Sequence, residues 1–182
     1  MNSSLFALNA LNFFMADVQA GLGPFLGVFL QARHWSPAEI GLAMTIGGIS
    51  GVAVTTPLGA LVDVTRAKRA IVMAAAIVIT AASIAILERP DFLVVAVGQV
   101  ATGIAGAAVG PAIAAITLGL VRQQGFPHQL GRNQAWNHSG NVAAAALGAI
   151  AAAALALWLL ARPLMAPACA KHADARAAKL AV

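Results

Sequence analysis

The feature that most constrains this chain is a series of long apolar stretches separated by short polar breaks. Five such stretches lie at residues 5–30, 40–62, 70–87, 92–121 and 136–160. A helix of about 20 predominantly apolar residues crosses the roughly 30 Å hydrocarbon core of a bilayer. The pattern therefore predicts an all-α, polytopic transmembrane helix bundle with about five spans. We place the bundle at residues 1–161 and a polar, alanine-rich tail at residues 162–182.

Composition excludes the main soluble alternatives. Hydrophobic residues make up 60% of the 182 residues and charged residues 9%, whereas about 25% of the residues in a soluble domain are charged. A soluble fold of this size cannot hide so much apolar surface, because small domains leave much of their surface exposed. Disordered chains have the opposite composition, with few apolar residues and many charges. A membrane protein remains.

Basic residues in the polar connections predict the orientation. Arg66, Lys68 and Arg69 follow the second stretch, and Arg122 and Arg132 bound a predicted polar loop at 122–132. Short loops rich in Lys and Arg face the cytoplasm, so we expect these two connections and the N-terminus to be cytoplasmic. After five spans the basic tail would then lie outside. Either the tail is an exception to this rule or the chain lacks a span, and we expect a truncated or frame-shifted tail.

Other local signals concern helix starts and helix packing. Ser36, Pro37 and Glu39 predict the start of the second membrane helix, as N-cap, first helical residue and first-turn acid. Small residues four positions apart allow helices to approach closely in lipid. That spacing occurs at Gly23/Gly27, Gly47/Gly51 and Gly106/Gly110. These glycines predict either tight packing or helices that can slide during transport.

Four polar residues interrupt the first stretch: Asn9, Asn12, Asp17 and Gln19. A carboxylate near the middle of a span costs about 2.5–3.5 kcal/mol on insertion scales. Asp17 is therefore a candidate proton or cation site, or else a hydrogen-bonded structural group. Gln19 lies about 160° from Asp17 around a helix, so the two cannot face one narrow cavity. We expect Asn9, Asn12 and Gln19 to form a separate polar side of the helix.

Polar residues also mark the fourth and fifth stretches. Gln99 and Thr102 lie one turn apart and predict either a pore-lining face or buried packing. The fifth span begins with the polar series Asn133, Gln134, Asn137, His138 and Asn141. This series predicts an interfacial or cavity-facing helix start, or direct contact with a substrate. We take Asn137, His138 and Asn141 as pathway candidates.

Signals for other kinds of function are missing from the sequence. No nucleophile and base have a catalytic spacing, and no His, Cys or carboxylate group has metal-ligand spacing. We therefore expect no enzyme activity, no metal and no cofactor. The basic residues lie between apolar runs rather than along one polar face, which argues against a nucleic-acid partner. The expected partners are the lipid bilayer and a small-molecule substrate.

The connection between the second and third stretches resembles a family signature. It matches the pattern G-x-L-x-D-[RK]-x-G-[RK]-[RK] at Gly59, Leu61, Asp63 and Lys68, extended by Arg69. Val64 and Arg66 depart from the pattern, and Arg66 stands where glycine is usual. This signature is typical of the loop between helices 2 and 3 in the major facilitator superfamily. The resemblance implies a gating loop formed by Gly59, Leu61, Asp63, Arg66, Lys68 and Arg69.

The resemblance also implies a fold and a function. Members have twelve spans in two six-helix halves, with substrate bound between the halves and alternating access to the two sides. This chain resembles part of the N-terminal half of a transporter in a bacterial inner membrane. Gln99 stands where many members carry an arginine tied to proton coupling. A chain with five spans would need a second chain to supply the missing helices. The alternative is a non-transporting protein or inactive fragment that associates with other membrane helices.

Overall fold

The described part of the chain, residues 3–20 and 22–165 of a computed structural model, contains five helices. They are α1 (Ser3–Ala20), α2 (Gly23–Ala32), α3 (Pro37–Val64), α4 (Lys68–Glu88) and α5 (Phe92–Met165). All regular secondary structure in these residues is helical, which confirms the predicted all-α class. The chain divides into two compact units, residues 1–144 and residues 145–182. In the second unit the described residues, 145–165, are helical.

Three of the helical segments are long and apolar enough to cross a membrane. They are Pro37–Val64, Lys68–Glu88 and Phe92–Trp158. Large apolar side chains lie exposed on these helices, as lipid contact requires. Examples are Ile49, Met73, Ile77, Leu93 and Val97. Helices of this kind keep their backbone hydrogen bonds internal, which is the condition for crossing hydrocarbon.

The first apolar stretch, predicted as one span at 5–30, forms two helices. α1 ends at Ala20 and α2 begins at Gly23. Pro24 lies in the first turn of α2. Proline is tolerated there because first-turn amides have no partner within the helix. A proline at this position favours a new helix start over a continuous one.

The predicted polar loop at 122–132 is wrong, because this segment is helical apart from one residue. Arg122 leaves helical geometry with φ 57° and ψ −177°, so α5 consists of two helices that meet at a kink there. Gln129 and Asn133 are 3% and 2% exposed. Their polar side chains are buried against other helices, so the polarity that predicted a loop instead marks an inward-facing helix surface.

The α2–α3 connection is built as the sequence predicts. The Glu39 amide donates to Ser36 Oγ at 3.3 Å, and the Ser36 amide donates to Glu39 Oε2 at 2.9 Å. This capping box confirms the predicted start of α3. Trp35 joins the α2–α3 connection to the α4–α5 connection. Its indole Nε1 donates to the Pro90 carbonyl at 3.2 Å, and its ring stacks on that of Phe92 with the ring centroids 5.9 Å apart.

Two apolar clusters form the core of the first unit. The first apolar cluster contains Leu8, Met15, Val62, Val72, Ala75, Ile79, Ala105, Val109, Ala112 and Ile113. The second apolar cluster contains Leu26, Leu30, Ala43, Ile86 and Val95. Along α4 and α5 the two clusters occupy different turns. The residues between them, such as Ser83 on α4 and Gln99 on α5, are more polar.

Glycines bring α3 and α5 into backbone contact. A Cβ added at Gly103 would overlap the Gly47 carbonyl oxygen, and one added at Gly51 would lie 3.2 Å from the Gly103 oxygen. Close packing is thus confirmed for the pair Gly47/Gly51. The prediction of close packing is wrong for Gly23 and Gly110, because a Cβ added at either residue would meet no atom within 4 Å. The spacing alone does not say which glycine faces a neighbouring helix.

We predict that Gly103→Ala lowers the free energy of unfolding by about 1–3 kcal/mol, since the new methyl group forces α3 and α5 apart. The matched control is Gly119→Ala on the same helix, where the added Cβ meets open space. The control should leave stability unchanged or raise it slightly, because alanine favours helix more than glycine does. Unfolding in mixed detergent–SDS micelles measures both, and equal effects would contradict the packing argument.

Candidate functional site

A cavity of about 470 Å³ lies where the five helices approach one another in the first unit. Its polar lining consists of Gln19, Thr55, Ser83, Gln99 and Thr102. Glycines supply much of the remaining wall, at positions 23, 47, 48, 51, 103 and 106. Ile79 of the first apolar cluster and Ile86 of the second also contribute. The cavity therefore lies between the two clusters.

The break between α1 and α2 lies at the edge of this cavity. Gln19, near the end of α1, and Leu22 and Gly23, at the start of α2, all belong to the lining. Interrupted helices expose backbone groups that a continuous helix would satisfy internally. In membrane proteins such breaks occur where the backbone lines a cavity, because lipid cannot hydrogen-bond to it.

Gln99 occupies the space that glycine leaves on α3. Its Oε1 would lie 2.9 Å, and its Cβ 3.1 Å, from a Cβ added at Gly47. Any larger residue at position 47 would displace the amide from the cavity wall. Thr102 is one turn further along α5, and its hydroxyl donates to the Gln99 carbonyl at 3.1 Å. Gln99 and Thr102, predicted to share a face, thus lie together in the lining.

The described lining of the cavity contains no charged side chain. Asp17, the predicted ion site, is partly buried and lies outside the lining. Gln19 is in the lining, and its Nε2 donates to the Met15 carbonyl at 3.1 Å. The two side chains therefore face different surroundings, as the helical angle between them predicts.

Asn9 belongs to a second polar group, which connects α1 with two parts of α5. Gln129 Nε2 donates to Asn9 Oδ1 at 2.9 Å and to Asn133 Oδ1 at 3.0 Å. Asn133 Nδ2 in turn donates to Thr117 Oγ1 at 2.8 Å. All four side chains are at most 3% exposed. We call these four residues the amide network.

The predicted polar side of α1 is therefore divided among different surroundings. Asn9 enters the amide network, and its Nδ2 has no hydrogen-bond partner among the described residues. Asn12 is 4% exposed and its Nδ2 donates to the Leu8 carbonyl at 2.8 Å, one turn back along its own helix. Of the three residues predicted to share this side, Gln19 alone reaches the cavity.

The polar start of the fifth predicted span lies away from the cavity lining. Asn141 Nδ2 donates to Asn137 Oδ1 at 3.3 Å, and His138 is exposed. Trp136 packs edge-on against Phe13 of α1, with ring centroids 6.4 Å apart. This segment contacts α1, and nothing in the described geometry brings Asn137, His138 or Asn141 to the cavity.

Lys68 caps the end of α3 in the predicted gating loop. Its Nζ donates to the backbone carbonyls of Val62 at 3.0 Å and Thr65 at 2.8 Å. A longer hydrogen bond, of 3.4 Å, goes to the backbone carbonyl of Asp63. A cation at a helix C-terminus satisfies carbonyls that have no partner within the helix and complements the helix dipole. The other residues of the predicted gating loop are exposed or have open space beside them. Leu61, Asp63, Arg66 and Arg69 are exposed, and a Cβ added at Gly59 would meet open space.

Sequence reasoning missed four polar contributors, one of which is Thr117 of the amide network. Thr55 and Ser83 line the cavity, and Gln129 is the centre of the amide network. Hydroxyl residues are common in membrane helices and carry little signal alone. Gln129 was hidden in a segment predicted as a loop. Its four-residue spacing from Asn133 was the available signal, because that spacing places both amides on one helix face.

Comparisons with known proteins agree with this architecture. The sequence profile of the Major Facilitator Superfamily matches residues 4–169. Two proteins described as uncharacterized MFS-type transporters, from two strains of Mycobacterium tuberculosis, are each 48% identical over 160 residues. That alignment covers 85% of this chain and 38% of each relative. No solved structure matches the chain.

The chain belongs to the Major Facilitator Superfamily. Its match to the family profile spans most of the sequence, and this confirms the resemblance first indicated by the connection between α3 and α4. Family membership and the long apolar helices together make it a multi-pass membrane protein of a transporter family. The chain spans 38% of the length of the curated relatives it matches.

We predict that Gln129→Leu lowers the free energy of unfolding by about 1–2 kcal/mol, because it leaves buried acceptors without their donor. The matched control is Gln124→Leu on the same helix, where the side chain is exposed. Adding Asn9→Leu to Gln129→Leu should cost less than the sum of the two single changes, because both partners are then apolar. Strictly additive effects in a double-mutant cycle would show that the two amides do not interact.

Proposed function

We propose that this chain forms part of a secondary transporter that moves a small solute across the membrane by alternating access. The observation that carries the proposal is the glycine-walled polar cavity between two apolar clusters. Substrate sites in secondary transporters lie near the bilayer midplane, at breaks in membrane helices. The α1–α2 break at the cavity edge supports the same assignment.

The apolar clusters would act as the two closures of the pathway. In alternating access the site is open to one side while packed side chains seal the other. The second apolar cluster lies with the Trp35–Pro90 contact at the end of the bundle where α2 meets α3. At the other end Lys68 holds the α3–α4 connection. Each end thus carries an interaction that could break and re-form as the pathway opens.

Further helices would complete the site. The curated relatives continue well beyond the region that this chain matches. We propose that the remaining helices pack over the open side of the cavity, contributed by a second chain or by more of the same polypeptide. We also propose a bacterial inner membrane as the location, with the N-terminus in the cytoplasm. The basic α3–α4 connection supports this orientation.

We predict that Gln99→Leu reduces solute flux about tenfold. This is the effect of losing one hydrogen bond to the solute, if that bond contributes about 1.4 kcal/mol, near the upper end of the usual range. Vesicles made from the protein's own native membranes, in which any helices that complete the site are present, are screened with labelled small solutes and provide the measurement. Gln134→Leu is the matched control, because that glutamine is exposed and outside the cavity lining. Flux that is absent with every solute would favour the alternative of a non-transporting membrane protein.

Asp17 remains the proposed ion-sensitive group, since it is a carboxylate in the middle of the first apolar stretch. We predict that Asp17→Asn changes the pH dependence of flux while the cavity still binds solute, because Asp17 lies outside the lining. Flux measured at several external pH values tests this role. A pH profile identical to that of the unaltered chain would remove Asp17 from the mechanism.

A further inference from the structure

We propose that the solute bound in the cavity is uncharged and rich in hydroxyl groups, and that it donates hydrogen bonds to the cavity wall. The inference rests on the proposed function and specifies its substrate class. It follows from which atoms of the lining already have hydrogen-bond partners and which remain available. The donors and acceptors of the wall can be followed residue by residue.

The threonine hydroxyls present acceptors to the cavity. Thr55 Oγ1 donates its proton to the Gly51 carbonyl at 2.7 Å, and Thr102 Oγ1 donates to the Gln99 carbonyl at 3.1 Å. A hydroxyl has one proton and two lone pairs. While the proton is bonded to the helix backbone, each threonine offers its lone pairs to a solute and accepts a hydrogen bond.

Gln19 adds a third acceptor from a different helix. Its Nε2 already donates to the Met15 carbonyl. Its Oε1 lies 3.9 Å from the position of a Cβ at Gly106, across the gap between α1 and α5. Acceptors therefore converge from α1, α3 and α5. Ser83 adds a hydroxyl from α4 and Gln99 an amide from α5, and both groups can donate as well as accept. At the start of α2 only the Gly23 amide is left to donate, because Pro24 has no N–H and the Phe25 amide donates to the Leu22 carbonyl.

The part of the wall that this chain supplies offers no counterion to an ionic solute. None of the described lining residues carries a charge, and burying an ion without a partner is costly. The start of α2 supplies a partial positive charge of about half a unit, which offsets only part of a full anionic charge, and none of the described lining residues is basic. A hydroxyl group can donate to the threonine and glutamine oxygens and accept from an amide. A solute carrying several hydroxyls can therefore satisfy the wall without a counterion.

The size of the cavity fits a small solute. Binding sites for small molecules have volumes of about 300–1,000 Å³, and this cavity measures about 470 Å³. The glycine stretches on α3 and α5 present a flat surface without side chains. Backbone and solute can approach closely there, as a ring or chain of hydroxyl-bearing carbons requires.

The test is solute binding to the protein in lipid nanodiscs, purified from its own membranes together with any chain bound to it and measured by equilibrium dialysis. The probes are radiolabelled sorbitol and glucose, with tetraethylammonium as the organic cation and benzoate as the anion. We expect the hydroxyl-rich probes to bind and the two ions to bind at least tenfold more weakly. Thr55→Val should weaken sorbitol or glucose binding about tenfold, and Thr55→Ser should retain it.

A matched control lies on the same helix. Thr45 is exposed, as Thr55 is, and its Oγ1 donates to the Gly41 carbonyl at 2.7 Å just as Thr55 Oγ1 donates to Gly51. Thr45 lies outside the cavity lining. Thr45→Val should leave binding unchanged. Equal weakening by Thr45→Val and Thr55→Val would overturn the inference, as would hydroxyl-solute binding that Thr55→Val does not affect.

The remaining outcomes separate the inference from the proposed function. Preferential binding of tetraethylammonium or benzoate, weakened by Thr55→Val, would overturn the substrate class and leave a solute site in place. If none of the four probes binds and the chain supports no flux of any solute, both the inference and the proposed function fail. Circular dichroism of each variant shows whether it has folded.

Discussion

The backbone contact between α3 and α5 is the interaction on which the rest of the bundle depends. Gly47 and Gly51 meet Gly103 with no side chain between them. Dispersion packing is a main source of helix association in lipid, because apolar side chains gain nothing by leaving hydrocarbon. The same contact draws Gln99 over α3 and leaves room beside it. The glycines thus hold the helices together and shape the cavity, so packing and function cannot be varied independently at these positions.

The protein buries polar side chains in two contrasting ways. In the amide network, Gln129 and Asn133 pair with groups on α1 and α5, and each of the four side chains is bonded to another member of the network. Around the cavity, Thr55 and Thr102 bond to their own helices and present acceptors to open space. The first arrangement stabilises a fixed helix interface. The second leaves hydrogen-bonding capacity for a solute, which is the physical basis of the proposed function.

Local sequence predicted local structure well and long-range contacts poorly. The capping box at Ser36, the helical class and the family signature near Asp63 were all accessible, since each depends on neighbouring residues. The segment at 122–132 was assigned to a loop, because its polarity is explained only by partners on distant helices. Asn9 and Gln19 were likewise placed on one polar side of a helix. They separate because Gln19 lies near the end of α1, beside the cavity, whereas Asn9 lies earlier on α1 and has a partner on α5.

The central claim is that the cavity is a water-accessible solute site inside the membrane bundle. The most direct test places single cysteines in a Cys169→Ser background and labels them in native membranes with a membrane-impermeant maleimide. Thr102→Cys lies in the cavity lining, whereas Val97→Cys replaces a side chain that is 60% exposed on the apolar surface of the same helix. The account predicts labelling at position 102 and none at position 97. Labelling at 97 with none at 102 would contradict it.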